Sequence, residues 1–223
     1  MKILGIETSS SVFSLCLNDD ETVLHEFMKH REFEGHRDAM IFDEAKRLLD
    51  SSEGKGISAI AVSNGPGMFT SLRVGLSLAK GISLVNKIPV VAVNTLDVIG
   101  VEPSRSVSPV IVVINAYRGE IYTACYCSGK RTGDYMLTTP AALVESVKNS
   151  ALVIGPGGQL LERVNKGKLK IDKDGRYWPR ATKVVSLALP RIGQGDYDDI
   201  EFLEPFYIKR TDAERRYDTC DAV

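Results

Sequence analysis

Histidine is scarce in this 223-residue sequence, and its few copies stand too far apart to form a metal-binding pair. The three histidines are His25, His30 and His36. Two metal ligands on one helical face need a spacing of about three or four residues. These histidines are separated by five and six. The sequence therefore predicts no metal site and argues against a metallopeptidase.

Cysteine is also rare, and its arrangement fits neither zinc nor redox chemistry. The four cysteines are Cys16, Cys125, Cys127 and Cys220. Cys125 and Cys127 stand two apart in a strand-like run, which is not the spacing of a zinc or dithiol motif. We interpret all four as structural thiols in a reducing cytoplasm.

Neither sign of charge is in excess. The sequence has 28 Lys and Arg against 29 Asp and Glu, a net charge of −1. Bulk electrostatics therefore argue against a general nucleic-acid binder. If the protein serves a nucleic acid, a partner has to supply most of the positive field.

Long apolar runs, a signal peptide and the common nucleotide and hydrolase motifs are all missing. No run reaches membrane-spanning length, and residues 1–7 lack signal-peptide anatomy. No Gly-x-x-x-x-Gly-Lys-Ser/Thr loop and no Gly-x-Ser-x-Gly elbow occurs. We therefore expect a cytoplasmic protein without a membrane contact.

What is present is an alternation of strand-like and helix-like segments that runs twice. Residues 1–101 read β-β-β-α-β-α-β-α, residues 102–106 are a polar break, and the order then restarts. Gly65-Pro66-Gly67 and Gly155-Pro156-Gly157 stand in the same strand-turn-helix context. The repeated order predicts an internal duplication, with a mixed sheet covered by helices in each half. We predict an N-terminal lobe over residues 1–104 and a smaller C-terminal lobe over 105–223, with the last strand or tail returning toward the first.

The second half carries five further expectations. A helix opens at Thr139-Pro140, and another runs from the second Gly-Pro-Gly through Val164. A helix over residues 182–192 is interrupted at Pro190. Residues 200–208 form a final edge strand. The basic stretch over 165–180 has two interpretations, a phosphate-contacting patch and the favoured solvated loop face.

The stretch from Gly65 to Val85 organises the first half. Gly65, Pro66 and Gly67 form a structural turn, and a helix starts near Phe69 with Thr70 or Ser71 as its cap. Arg73 and Lys80 are the only charges from Leu72 to Val85, and a helix apolar nearly all round is usually buried on more than one side.

Small side chains recur every four residues along this helix, at Ser71, Gly75, Ala79 and Ser83. Gly75 and Gly81 each cost about 1 kcal/mol against alanine. A small ridge lets another backbone approach closely. The pattern leaves two interpretations open, which are packing on the protein's own sheet and contact with a partner helix.

Two turns carry the candidate ligand-binding residues. Glu7, Thr8 and Ser9 end the first strand, where a nucleotide phosphate would sit in a duplicated fold of this order. That turn lacks the glycines that such a hairpin needs, so these residues are weak candidates. Asn115 holds the matching position of the second half, and its amide cannot act as a base at neutral pH.

Several motifs together resemble the TsaB (YeaZ) family, in order and over nearly the whole chain. The resemblance rests on residues 6–9, His36, the specific signature at 65–75, residues 115–122 and residues 205–210. The family usually has aspartate where this chain has Asn115.

The resemblance implies an α/β fold of the actin/Hsp70/sugar-kinase-like (ribonuclease H-like) type. It implies a non-catalytic partner of the TsaD enzyme, in a complex that makes N6-threonylcarbamoyladenosine (t6A) at position 37 of tRNAs reading A-starting codons. TsaD holds the metal and transfers the threonylcarbamoyl group, and the ATPase TsaE joins the complex. The glycoprotease-like label of the family derives from TsaD.

We accordingly expect no catalytic residues, no metal and no tightly bound cofactor in the isolated chain. Binding of ATP or ADP within the complex is left open, and so is formation of a homodimer by the isolated chain. We expect tRNA to bind only through the complex. The alternative functions are a small-molecule kinase of the same fold and a glycoprotease-like metallopeptidase.

The predicted partner surface lies on two helices, one from His36 to Asp50 and one from Phe69 to Val85. Its residues are Ile41, Ala45, Leu48, Ser71, Leu72, Gly75, Ala79 and Ser83.

Overall fold

A computed structural model describes residues 1–30, 37–50, 56–107, 109–172 and 177–208. His36, Cys220, part of the basic stretch (173–176) and the end of the C-terminal motif (209–210) lie outside the described residues. The expectations that concern them stay predictions.

A five-stranded mixed sheet forms the first half. Its strands are β1 (Lys2–Glu7), β2 (Val12–Asp19), β3 (Thr22–His30), β4 (Ala59–Gly65) and β5 (Val90–Asn94). The order is β3-β2-β1-β4-β5, with β1, β2 and β3 antiparallel and with β4 and β5 added parallel to β1. The predicted three-strand meander followed by two strands with helical connections is confirmed.

Helices cover both faces of this sheet. The helices are α1 (Arg37–Asp50), α2 (Phe69–Asn86), and, from late in the chain, α6 (Ala181–Gly193). Successive side chains of a strand point to opposite faces. Leu4 and Ile6 of β1 therefore pack with α1 and α2, whereas Ile3 packs with α6. The strands β1 and β4 are apolar on both sides because helices bury both of their sides, whereas the edge strand β3 is mostly exposed.

The second half repeats the arrangement with shorter elements. Its strands are β6 (Val110–Tyr117), β7 (Glu120–Cys127), β8 (Lys130–Arg131), β9 (Met136–Thr138), β10 (Leu152–Ile154) and β11 (Lys170–Ile171). The order is β11-β10-β6-β7-β8, and β9 also pairs with β7. As in the first sheet, a hairpin stands on one side of the first strand and parallel strands on the other. The matched orders confirm the duplicated actin/Hsp70/sugar-kinase-like fold with two mixed sheets.

Short helices connect the two sheets. They are α3 (Thr95–Gly100) and α4 (Pro103–Ser106), which follow β5 and precede β6. A third short helix, α5 (Pro140–Ser146), lies between β9 and β10 of the second sheet. Leu96 and Ile99 of α3 lie in the core beneath β6 and β7, whereas Val98 packs with α6. Because α3 belongs to two cores, it holds the halves together. Asn94 caps α3 and Thr139 caps α5, each by a side-chain oxygen that accepts from the first turn of its helix, so the predicted helix start at Thr139-Pro140 is confirmed.

Four local predictions are corrected. The start of α2 has Met68 at the N-cap position without a side-chain cap, so neither Thr70 nor Ser71 serves there. The helix predicted through Val164 is only a 3-10 turn at Gly158–Leu161. It stops because the Asn165 amide exchanges hydrogen bonds with the backbone of Leu169, which bends the chain toward β11.

The helix α6 continues through Pro190 instead of being interrupted there. Pro190 and Ser186, whose carbonyl loses its helical donor, are both exposed, so water can satisfy that carbonyl. Residues 200–208 form no strand ladder, and residues 200–202 are a turn. A single bridge joins Asp198 to Val90, and Phe206 N–H donates to Asn64 O over 2.7 Å.

The packing of α6 also corrects part of the predicted division of the chain. The expectation placed residues 105–223 in a C-terminal lobe from which only the last strand or tail returned. Ala181, Val184, Val185 and Ala188 are fully buried against the first sheet. Residues 181–193 therefore complete the N-terminal half.

Candidate functional site

The turn after β1 is closed by its own hydrogen bonds. Glu7 is fully buried, and its Oε1 accepts from Ser9 N–H over 2.6 Å and from the Ser9 hydroxyl over 2.5 Å. The Thr8 hydroxyl donates to Ser71 O over 2.8 Å, and the Ser10 hydroxyl donates to Val12 O over 2.9 Å. The hydroxyls that would face a ligand are thus bonded inside the protein.

The N-terminal end of α2 occupies the space beside this turn. Met68 N–H donates to Ser9 O over 2.7 Å. A Cβ on Gly67 would overlap Ser9 O, and a Cβ on Gly75 would overlap Thr8 Oγ1. Gly65 has a φ of +116° at the end of β4, which only glycine adopts easily. The three residues Gly65, Pro66 and Gly67 therefore act as a structural turn that seats α2 on the end of β1.

A nucleotide phosphate does not fit this turn. Phosphate binding needs several backbone N–H groups directed at open space. Here Ser9 N–H points at Glu7, and the contact of Gly67 with Ser9 fills the neighbouring volume. The structure brings Glu7, Thr8 and Ser9 together with Ser71 and Gly75. These residues form a packing contact inside the protein.

The second half repeats this packing contact between a Gly-Pro-Gly turn and the end of a strand. Gly155 has a φ of +98°, and Gly157 N–H donates to Val113 O over 2.9 Å. A Cβ on Gly157 would lie 2.8 Å from Asn115 N. The second Gly-Pro-Gly thus seats its own 3-10 turn on the end of β6, as the first seats α2 on β1.

Asn115 holds the hairpin that follows β6. Its Oδ1 accepts from Tyr117 N–H over 2.7 Å. Asn115 lines an open groove of about 640 Å³ that includes Tyr117, Arg118, Gln159 and Arg163.

The predicted partner surface is corrected, because its residues face the interior of this chain. Relative exposure is 2% or less at Ile41, Ala45, Leu48, Ser71, Leu72 and Ala79, 7% at Ser83, and Gly75 is also buried. The small ridge packs on the β1 turn and the first sheet. Residues that are already buried within one chain leave no area for a second chain to cover.

The outer face of α2, unlike the ridge, is exposed to solvent and combines small and apolar residues. Leu84 and Val85 are 68% and 82% exposed. Gly81 is also exposed, and a Cβ added to it would meet nothing within 4 Å. Gly81 therefore costs helix propensity without relieving any contact inside the described structure. Ser77 lies one turn before it and is also exposed. We call this set the outer α2 face, defined by Arg73, Ser77, Gly81, Leu84 and Val85.

An aromatic cluster that sequence reasoning missed adjoins the start of this face. The rings of Phe69 and Tyr207 stack with centroids 5.5 Å apart, and the Arg73 guanidinium lies 3.8 Å above the Phe69 ring. Arg73 Nε also donates to the Tyr207 hydroxyl over 3.3 Å. Nothing in the sequence pattern relates Phe69 to Tyr207, because the two meet only through the path of the C-terminal segment.

Two of the histidines have partners of their own. His25 Nε2 lies 2.9 Å from Glu44 Oε1, and the hydrogen bond from Arg47 holds the pKa of the Glu44 carboxyl below its usual value. The His30 ring meets the Trp178 ring edge-on at 5.6 Å. Within the described ranges, no group of three or more His, Cys, Asp or Glu is placed to hold a metal ion.

A half-buried polar cluster ties α3 to the second sheet. Asp97 accepts from the Tyr126 hydroxyl over 2.7 Å and from the Tyr135 hydroxyl over 2.5 Å. Burial raises the pKa of both tyrosines, and the neighbouring carboxylate adds to the effect. Both phenols therefore stay protonated, as donors, at any physiological pH.

In the part of the chain that the structure describes, no helix is both long and apolar enough to cross a membrane.

These features define a class of protein. It has a duplicated actin/Hsp70/sugar-kinase-like fold in which the N-terminal end of α2 packs against the turn after β1. Comparison with known proteins gives the family. A family model described as "TsaD: tRNA N6-adenosine threonylcarbamoyltransferase" matches residues 40–188. The chain belongs to this family and, within it, to the TsaB (YeaZ) group.

The similar proteins cover nearly all of the chain. The tRNA threonylcarbamoyladenosine biosynthesis protein TsaB of Escherichia coli is 27% identical, over 94% of this chain and 95% of the relative. The protein of the same name from Bacillus subtilis is 23% identical, over 97% and 98%. The solved structure of YeaZ from Pseudomonas aeruginosa superposes with a TM-score of 0.79 at 23% identity, over 93% of this chain and 99% of that one.

Proposed function

We propose that this protein is the non-catalytic partner subunit of a TsaD-like enzyme in the synthesis of t6A on tRNAs that read A-starting codons. The observation that carries the proposal is the filled turn after β1, where Gly67 and Gly75 bring α2 against Ser9 and Thr8. A chain of this family whose own phosphate turn is filled contributes binding surface rather than chemistry. The names of the full-length relatives support the assignment to t6A biosynthesis.

The same geometry supports the absence of a tightly held nucleotide in the isolated chain. ATP or ADP, and a TsaE-like ATPase, belong to the assembled complex in this proposal, as does tRNA. The site of action is the cytoplasm. A pure sample should show no ATP turnover, whereas adding it to a TsaD-like enzyme with the other components should raise t6A formation. ATP turnover by the pure chain that disappears in Glu7→Ala would contradict the proposal.

The outer α2 face is the proposed contact with the TsaD-like partner. Gly81 and Ser77 let a partner helix approach closely, and Leu84 and Val85 supply exposed apolar area beside them. Arginine and aromatic side chains dominate the energetics of many interfaces, and the cluster of Phe69, Arg73 and Tyr207 adjoins this face. Without the partner, two copies of the same face can form a homodimer.

Gly81→Leu tests this surface. Leucine has open space at this position and gains about 0.8–1.0 kcal/mol of helix propensity over glycine, so the fold should be at least as stable. A bulky side chain at a close-packed contact typically costs about 1–3 kcal/mol, which weakens association roughly 5- to 150-fold. Calorimetry against the TsaD-like partner measures the affinity, and thermal melting of the free chain checks the fold.

Two matched variants control for the substitution itself. Gly193→Leu places the same side chain on an exposed helical glycine of α6 with nothing near its Cβ, and it should bind normally. Gly75→Leu meets Thr8 inside the chain and should lower the melting temperature. A stable Gly81→Leu protein that binds as tightly as Gly193→Leu would exclude the outer α2 face.

A further inference from the structure

The hairpin between β6 and β7 holds an exposed aromatic ring in an unfavourable backbone conformation. Tyr117 has a φ of +59° and Arg118 a φ of +54°. A bulky residue with positive φ is uncommon, and Asn or Gly would adopt that conformation at lower cost. The Tyr117 side chain is 56% exposed. The turn therefore carries a strained residue whose ring faces solvent.

The open groove beside this ring is lined by cations and an amide. Arg118 and Arg163 line the volume of about 640 Å³ together with Gln159 and one acid, Glu162. Gln159, Arg118 and Arg163 are all exposed. The groove thus offers a ring face and an amide that both donates and accepts, with two guanidinium groups against the single carboxylate of Glu162.

The chain that leads away from the groove is basic. Residues 159–170 contain Arg163, Lys166, Lys168 and Lys170 against the single acid Glu162. Lys166 and Lys170 are exposed, whereas Lys168 donates to Val144 O over 3.2 Å. This local excess contrasts with the net charge of −1 for the whole chain.

We propose that this groove binds a single-stranded segment of the tRNA substrate. Aromatic rings stack on unpaired bases, guanidinium groups pair with phosphates, and side-chain amides read base edges. Duplex RNA offers no accessible base face, so an exposed ring in a groove favours unpaired nucleotides. The inference rests on the proposed function, and it assigns to this chain a direct contact with the RNA inside the complex.

Tyr117→Asn separates this role from a structural one. Asparagine suits a positive φ, so the free variant should melt at the same temperature as the wild type or higher. The probe is a fluorescently labelled, unmodified transcript of a tRNA reading an A-starting codon. It is titrated with the complex of the full chain and its TsaD-like and TsaE-like partners. Loss of one stacked base should weaken binding about 5- to 150-fold.

The arginines should determine how strongly transcript binding depends on salt concentration. Arg163→Gln removes one phosphate contact and should reduce the slope of log K against log salt by about 0.7–0.9. Tyr117→Asn should leave that slope unchanged. The matched controls are Tyr197→Ala, another exposed tyrosine, and Lys130→Gln, an exposed cation on β8. Both should bind the transcript like the wild type.

Three outcomes decide the proposal. Weaker transcript binding in Tyr117→Asn, with normal assembly of the protein complex, supports it. Transcript binding equal to that of Tyr197→Ala overturns it. Loss of complex assembly without RNA, measured by sedimentation, shows that the groove contacts a protein and also overturns it. Failure of the wild-type complex to form t6A would be a failure of the proposed function and is seen separately from these results.

Discussion

Gly75 and Gly81 lie six residues apart on α2 and have opposite surroundings. A Cβ on Gly75 would overlap the Thr8 hydroxyl, whereas a Cβ on Gly81 would meet nothing within 4 Å. The first glycine is required by the protein's own fold. The second is exposed, so any packing requirement for it has to come from another molecule. This difference of surroundings, rather than the shared residue type, locates the proposed partner surface.

Cys16 shows how a single buried group links stability to pH. It is fully buried on β2 facing α6, and burial, with a smaller contribution from Glu26, raises the pKa of its thiol from 9.0 to about 12. The folded thiol therefore keeps its proton where the unfolded thiol has lost it. The free energy of unfolding is unaffected by this group below pH 9 and falls as the pH rises from 9 towards 12.

We predict a loss of about 1.4 kcal/mol per pH unit from this thiol in that window. Urea unfolding between pH 8 and 11 measures it. Cys16→Ala should have a shallower dependence than the wild type, and Cys127→Ala, which removes an exposed thiol, should keep the wild-type slope. Equal slopes in all three proteins would show that Cys16 does not cause the effect.

At the scale of elements, α3 is the connection between the two sheets. Leu96 and Ile99 lie in the core of the second sheet, and a Cβ on Gly100 would overlap the ring of Tyr126. Asp97, on the same helix, accepts from the hydroxyls of Tyr126 and Tyr135. Because the apolar contacts are buried and the hydrogen bonds are directional, they fix α3 against β7 and the segment before β9.

Asp97→Ala should lower the free energy of unfolding by about 3 kcal/mol. It removes two hydrogen bonds to a charged group, which contribute about 1.5–3 kcal/mol each, and the 26% exposure of the Asp97 side chain places both at the low end of that range. Tyr135→Phe removes only one of them and should have about half the effect. Chemical denaturation measures both. Asp196→Ala removes an aspartate that pairs with Arg191 at the surface and should change stability little. A loss as small for Asp97→Ala as for Asp196→Ala would contradict the role given to this cluster.

At the scale of the whole molecule, the two halves share structure that a division by sequence would separate. The helix α6 completes the first half from the far end of the chain, and residues 198–206 run along β5 and β4. The aromatic contact between Phe206 and Tyr135, with centroids 5.5 Å apart, joins that segment to the second half. Neither half is therefore complete without the other.

We predict a single cooperative unfolding transition. Far-ultraviolet circular dichroism follows all helices, and fluorescence of Trp178, the one tryptophan, follows the region beside β3. The two urea curves should coincide. A fragment of residues 1–107 should fail to fold, because it exposes the face of the first sheet that α6 covers. Separate transitions, or a folded fragment, would show that the halves are independent.

The order of elements, the duplication and the two Gly-Pro-Gly turns could be predicted from sequence alone. They depend on local signals, which are alternation in strands, helical periodicity and the conformational limits of glycine and proline. The same signals predicted the helix that opens at Thr139-Pro140. The absence of glycines between Glu7 and Asn18 likewise predicted that the first turn is a poor phosphate site.

Tertiary structure alone decided which way α2 faces. The helix is apolar nearly all round, so its sequence does not distinguish the side that covers the sheet from the side that faces outward. The small ridge was therefore assigned to a partner, although it packs on Thr8 and the first sheet. The placement of α6, the continuation of that helix through Pro190 and the meeting of Phe69 with Tyr207 were also beyond sequence. Each depends on contacts between residues far apart in the chain, and only the folded packing brings those residues together.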